Sequence, residues 1–133
     1  DYVPTEVLRV VEWHLSPDEE ATIRIPRVSF LRALAILLTN AAEASPLGFA
    51  IRVEMERTEK AFSVVVSDSG HGIPASDLHR VGEPFFTTKP PGFGIGLGLF
   101  IVRSLVETLE GEFFVDSMKG RGCAISLRIP QTT

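Results

Sequence analysis

The chain has 133 residues, 44% of them hydrophobic and 23% charged, with a formal charge of -4. That length suits one domain with one core, and the composition excludes disordered and collagen-like chains. The acidic balance argues against a partner nucleic acid held by phosphate neutralisation, no apolar run is long enough to cross a bilayer, and the lone Cys123 excludes an internal disulfide or a cysteine-rich zinc site.

At the N-terminus, Asp1 and Glu6 stand where a signal peptide needs a basic region and an apolar run. The chain starts without Met, inside a helical pattern, and reads as a fragment of a longer protein. Residues 4 to 15 predict a helix, with Pro4 near its start and Val7, Leu8, Val11 and Leu15 on one side. Ser16-Pro17-Asp18 breaks it. Ala21 to Ile25 predicts a short strand ended by Pro26. Residues 27 to 45 carry the strongest helical pattern, with Leu31, Leu34, Ala35, Leu38 and Ala42 on one stripe. Ser29, Ile36, Asn40 and Glu43 fall roughly opposite, and Pro46 and Gly48 end the helix.

Residues 50 to 57 alternate, setting Ile51, Val53 and Met55 against Arg52, Glu54 and Glu56. Residues 62 to 68 predict a second strand, joined to the first by the turn Thr58-Glu59-Lys60, so the pair is antiparallel. Phe62, Val64, Val66 and Asp68 share a face, which leaves a carboxylate at the end of an apolar row. Residues 69 to 95 hold four of the nine prolines and several glycines, too many for an idle loop. Pro74 to Arg80 can hold a short helix. A helix over 96 to 109 places Leu99, Val102, Val106 and Leu109 inward. Strands at 112 to 116 and 122 to 129 follow, with Cys123 at inward parity as a small buried hydrophobe. The sum is one α+β domain, a two-layer sandwich. Three helices cover one face of a mixed, mostly antiparallel sheet, and Ser63, Ser67, Ser126 and Arg128 face solvent on the other.

Four stretches carry chemistry. In Asp68-Ser69-Gly70-His71-Gly72 an inward aspartate needs a donor, which a ligand amine would supply. Gly70 and Gly72 would let the backbone approach a flat ring. The same residues also suit a carboxylate that caps a turn. Gly92-Phe93-Gly94-Ile95-Gly96-Leu97-Gly98-Leu99 opens a helix with unobstructed N–H groups, which favours phosphate. It is neither a Walker A loop nor a dinucleotide fingerprint. Asn40 offers a neutral oxygen of the kind Mg²⁺ takes beside waters and phosphates. In Glu83-Pro84-Phe85-Phe86-Thr87-Thr88-Lys89 the phenylalanines would anchor a loop, and Lys89 and Arg80 would meet phosphate.

The order of the four stretches is more specific than any one of them. An Asn-bearing helix, D-x-G-x-G after a strand, P-F-F-T-T-K, and G-x-G-x-G-L-G-L into a helix resemble the N, G1, F and G2 boxes of bacterial sensor histidine kinases. Gyrase, heat-shock protein 90 and the mismatch-repair ATPases share the wider superfamily. The resemblance covers residues 20 to 130 and implies a catalytic ATP-binding domain with a long ATP lid. It implies that Asn40 ligates Mg²⁺ between the ATP phosphates and that Asp68 accepts from the adenine amine. Gly70 and Gly72 would pass the adenine, and Gly94, Gly96, Leu97 and Gly98 would line the phosphates. Arg80, Thr88 and Lys89 would bring polar and basic groups to the phosphates. Glu43 stands in the nucleotide site where many such kinases have Lys or His.

The chain departs from the pattern at Ile36, where histidine kinases have a second Asn and the gyrase branch a water-activating Glu. Gly82 replaces the leading Phe of the F box. An acceptor histidine on a dimerisation helix is missing from the match: His14, His71 and His79 all lie in other contexts. The implied partners are ATP, the dimerisation and phospho-acceptor domain of the same kinase and, through the full-length kinase, a response regulator. Neither nucleic acid nor direct membrane insertion is expected, and the implied compartment is the cytoplasm. Two other readings stay open: a stand-alone anti-sigma-factor-like serine kinase of the same superfamily, and a non-catalytic ATP-binding module.

Overall fold

The computed structural model describes residues 11–15, 22–45, 49–84, 86, 97–118 and 121–131. In chain order the elements are β1 (Val11–Leu15), α1 (Arg27–Ala44), β2 (Ile51–Arg57), β3 (Ala61–Asp68), a 3-10 helix (Ala75–Arg80), α2 (Gly98–Thr108), β4 (Glu112–Met118) and β5 (Gly122–Pro130). The strands form one sheet in the order β1-β2-β3-β5-β4. β1 runs parallel to β2, and every other pairing is antiparallel. The fold is an open, mixed α+β sheet with its helices packed on one face, as the alternating strands predict.

β2 and β3 form because their apolar residues alternate and a turn joins them. Thr58 closes that turn: its N–H donates to Ala61 O at 2.9 Å, and its hydroxyl oxygen accepts from Ala61 N at 3.1 Å. The inward sides supply Ile51 and Val53 from β2, Phe62, Val64 and Val66 from β3, and Ile125, Leu127 and Ile129 from β5, all buried. α1 adds Leu34, Leu37 and Leu38, and α2 adds Val102 and Val106. Phe30 meets the Phe62 ring edge-on, with centroids 5.7 Å apart. Burying a side chain of this size contributes about 1.5–3 kcal/mol, so this face supplies most of the stabilisation.

Three sequence expectations need correction. Residues 11 to 15 form strand β1 and not the end of a helix; residues 1 to 10 of that expected helix lie outside the described residues. The physical reason is register. Val11, Trp13 and Leu15 line up beside Ile51, Val53 and Met55, so an alternating V-E-W-H-L segment extends the sheet. Thr22 to Ile25 is likewise no strand. Its backbone is satisfied by a side chain instead: Gln131 Oε1 accepts from Arg24 N at 2.7 Å, and Gln131 Nε2 donates to Arg24 O at 3.1 Å. Among the described residues, the helical elements are α1, the 3-10 helix and α2.

The third correction is the rotation of α1. Its buried face runs through Ala33, Leu34, Leu37, Leu38 and Ala41, while Leu31 is 40% exposed. Ile36 packs against the core instead of facing away from it. The segment is apolar around most of its circumference, so spacing alone leaves the angle undetermined; contact with Phe62 and α2 sets it.

Candidate functional site

Asp68 ends the inward row Phe62, Val64, Val66 and sits half-buried where β3 leaves the sheet. Its Oδ1 accepts the Gly70 N–H at 2.8 Å. Burial pushes its carboxyl above the ordinary aspartate value of 3.8; backbone N–H groups of Gly70 and Cys123, and the nearby His71, oppose that shift more weakly. The turn-capping role expected of a D-x-G stretch is thus present. A carboxylate has about four lone-pair sites, so two backbone bonds leave capacity to accept from a ligand amine.

Two glycines bring the surrounding elements against α1. A Cβ at Gly70 would stand 2.5 Å from Ala44 O and 2.8 Å from Ala44 Cβ, so only glycine lets this loop lie on the end of α1. A Cβ at Gly98, the first residue of α2, would stand 3.1 Å from Ile36 Cγ2 and 4.0 Å from Asn40 Nδ2. Ala44 is one helical turn beyond Asn40, and Ile36 one turn before it. The second half of α1 is therefore a common wall between the loop after β3 and the opening turn of α2. Gly72 holds φ at 73°, a conformation that L side chains resist.

Other sequence-predicted residues fall as follows. Asn40 is half-buried and faces the start of α2. Glu43 is exposed on α1, and Leu97 is half-buried before the first residue of α2. Arg80 is exposed at the end of the 3-10 helix; its guanidinium lies 3.7 Å from Glu83 Oε2 and 4.6 Å from the centre of the Phe86 ring. Thr88, Lys89, Gly94 and Gly96 lie outside the described residues. Among the described residues, no cluster of three or more His, Cys, Asp or Glu side chains forms a cage for a metal ion.

Sequence reasoning missed two contributors. Ser117 on β4 accepts the Ile73 N–H at 2.6 Å and donates to Gly122 O at 3.1 Å. Gly122, with φ at 99°, lies so close to Asp68 that any Cβ would collide with the Asp68 carbonyl oxygen. Strand parity offered a signal: Ser117, Cys123 and Asp68 are cross-strand neighbours in one inward row. In that row burial, and then the charge of Asp68, push the Cys123 thiol up to about 11.

Comparison with known proteins places this geometry. Residues 26–133 match the family described as histidine kinase-, DNA gyrase B-, and HSP90-like ATPase. Sporulation kinase A of Bacillus subtilis is 38% identical over 95 residues, 71% of this chain and 15% of that protein. Sensor protein IrlS of Burkholderia pseudomallei is 37% identical over 102 residues, 74% of this chain and 22% of that protein. The chain thus spans less than a quarter of the length of either relative. Among solved structures, the nucleotide-free catalytic domain of histidine kinase ThkA superposes with a TM-score of 0.81 at 26% identity, covering 96% of this chain and 86% of that one. The mycobacterial sensor histidine kinase MprB gives a TM-score of 0.75 at 30% identity, over 92% of this chain and 83% of that one.

Proposed function

The chain belongs to the family of histidine kinase-, DNA gyrase B- and HSP90-like ATPases, and from that premise we propose that it is the single catalytic ATP-binding domain of a sensor histidine kinase. It binds Mg-ATP and presents the γ-phosphate to a histidine on a separate dimerisation domain. The parent kinase then serves a response regulator in two-component signalling. The observation that carries this reading is the convergence of the Asn40 end of α1, the Asp68–Gly70 loop and the first turn of α2 on one wall.

The roles follow from chemistry. Asp68 accepts a hydrogen bond from the adenine amine, and Gly70 and Gly72 leave room for the ring. The N-terminus of α2, at Leu97 and Gly98, turns backbone N–H groups and the positive end of the helix dipole toward the phosphates. Gly94, Gly96, Thr88, Lys89 and Arg80 extend the phosphate contacts, and Glu43 borders the site. Mg²⁺ keeps waters and substrate phosphates as ligands and takes few from protein. Asn40 would supply the protein oxygen, and the bound ion would neutralise phosphate charge.

Transfer breaks the bond between the γ-phosphorus and the bridging oxygen of ADP and forms a phosphorus–nitrogen bond to the imidazole. The protein contributes position and charge neutralisation, and a neutral imidazole needs no general base. Ile36 supports transfer over hydrolysis, because an apolar side chain beside Gly98 activates no water. His14 lies on the sheet, 3.5 Å from Glu12, and His79 is in the 3-10 helix, so neither resembles an acceptor. Among the described residues, no helix is long and apolar enough to cross a membrane; we assign the domain to the cytoplasm, where ATP is supplied.

The test is calorimetry with ATP, with and without Mg²⁺, followed by transfer to a phospho-acceptor domain from the same gene. Expected are metal-dependent binding, phosphate on the added domain, and none on this chain alone. Absence of binding heat would remove the assignment.

A further inference from the structure

We infer that Ser117 is a positioning residue for the adenine side of the site, acting as the pin of a clamp that fixes the loop carrying Asp68. This rests on the nucleotide reading above. The loop is held at both ends by one hairpin. At its start, Gly122 of β5 presses against the Asp68 carbonyl and Ser69, in contact close enough to exclude any side chain. At its end, the Ile73 N–H donates to Ser117 Oγ at 2.6 Å, shorter than the 2.8 Å bond from Gly70 N–H to Asp68. The same hydroxyl donates to Gly122 O at 3.1 Å, so one side chain ties the two ends together.

A serine hydroxyl has one proton to give and lone pairs to receive, and both capacities are used here. Replacing it with a methyl group leaves the half-buried Ile73 N–H and the buried Gly122 carbonyl without this partner. The β4 ladder does not need the hydroxyl, because β4 pairs with β5 through its backbone from Glu112 to Met118. Ser117 lies 44 residues from Ile73 along the chain, which makes the hydroxyl a tertiary tie and not a local turn.

The experiment compares wild type, Ser117→Ala and Ser117→Thr by amide exchange, calorimetry with Mg-ATP and thermal melting. Ser117→Ala is expected to speed exchange at Ile73 while Val64 and Val66 in the core keep their protection. ATP affinity should fall about tenfold, equivalent to about 1.4 kcal/mol. Ser117→Thr, which keeps the hydroxyl, should restore both. The clamp is overturned if Ile73 stays protected in Ser117→Ala, if its ATP affinity stays within about twofold of a binding wild type, equivalent to about 0.4 kcal/mol, or if Ser117→Thr is equally impaired. A wild type that binds no ATP overturns the nucleotide reading instead, and exchange at Ile73 still decides the clamp.

Discussion

Gly98→Ala separates stability from binding. The new Cβ would lie 3.1 Å from Ile36 Cγ2, a few tenths of an ångström short of ordinary contact. Ile36 is only half-buried, and its methyl can turn away; an off-rotamer adjustment costs about 0.5–1.5 kcal/mol. Alanine in place of glycine at the head of α2 returns up to about 1 kcal/mol of helix propensity. The two nearly cancel, so the melting temperature should move by less than about 5 °C. Binding has no such compensation. The methyl would stand 4.0 Å from Asn40 Nδ2, in the space between that amide and the opening turn of α2. If phosphate and its ion occupy that space, ATP affinity should fall by about 10- to 100-fold, roughly 1.4–2.8 kcal/mol. Calorimetry beside a thermal melt makes the comparison. Affinity unchanged in a well-folded variant would refute the reasoning, as would a loss of affinity that merely follows a lost fold.

Gly70→Ala should behave oppositely, since its Cβ meets the Ala44 backbone and not a flexible side chain; a loss of about 1–3 kcal/mol in urea unfolding is expected, and none would mean that the loop is free to move off α1. Asp68→Asn should cut ATP affinity by about 100-fold or more, because an amide sets donor against donor at the adenine amine and loses charge-assisted bonds. Burial raises the Asp68 pKa in the fold, so its contribution to stability is full below 3.8 and is lost as pH rises through the folded value. At pH 7 the asparagine variant should therefore be no less stable than wild type, and wild-type ATP affinity should fall on acidification through that raised pKa; a destabilised variant at pH 7 would contradict this sign. With its thiol near 11, Cys123 should react slowly with iodoacetamide at pH 8 and faster toward pH 11. Removing the neighbouring charge in Asp68→Asn should speed the reaction, and an unchanged rate would show that Asp68 does not act on the thiol.

What the sequence revealed depended on whether one periodicity dominated. Alternation in Ile51 to Arg57 and Ala61 to Asp68 admits a single inward face, and both strands stand where it puts them. The motif order located Asp68, Gly70, Asn40 and Gly98, whose closeness then depends on missing side chains at the two glycines. Val11 to Leu15 has apolar residues that suit either period, and a partner strand some forty residues away decides between them. Ala21 to Ile25 reads as a strand from its local pattern, but at Arg24 the backbone pairs with the Gln131 amide, a bond that no local pattern announces. Strand parity can place Ser117 in the row of Asp68 and Cys123, but not its bond to Ile73, 44 residues away in sequence.

Ile36 links the fold to the chemistry. Its side chain helps seal the core and also limits how closely α2 can approach α1, since Gly98 is the residue laid against it. A water-activating carboxylate at that point would sit half-buried among apolar groups beside Gly98, and would resist ionisation there unless a donor met it. An isoleucine avoids that cost, and on the proposed reading it places no base near the γ-phosphate. On that reading water would attack without help, while an imidazole delivered from another domain would bring its own lone pair. If the nucleotide lies as proposed, Ile36 leaves no base beside its phosphates, and the same side chain takes part in the packing that holds the two helices together.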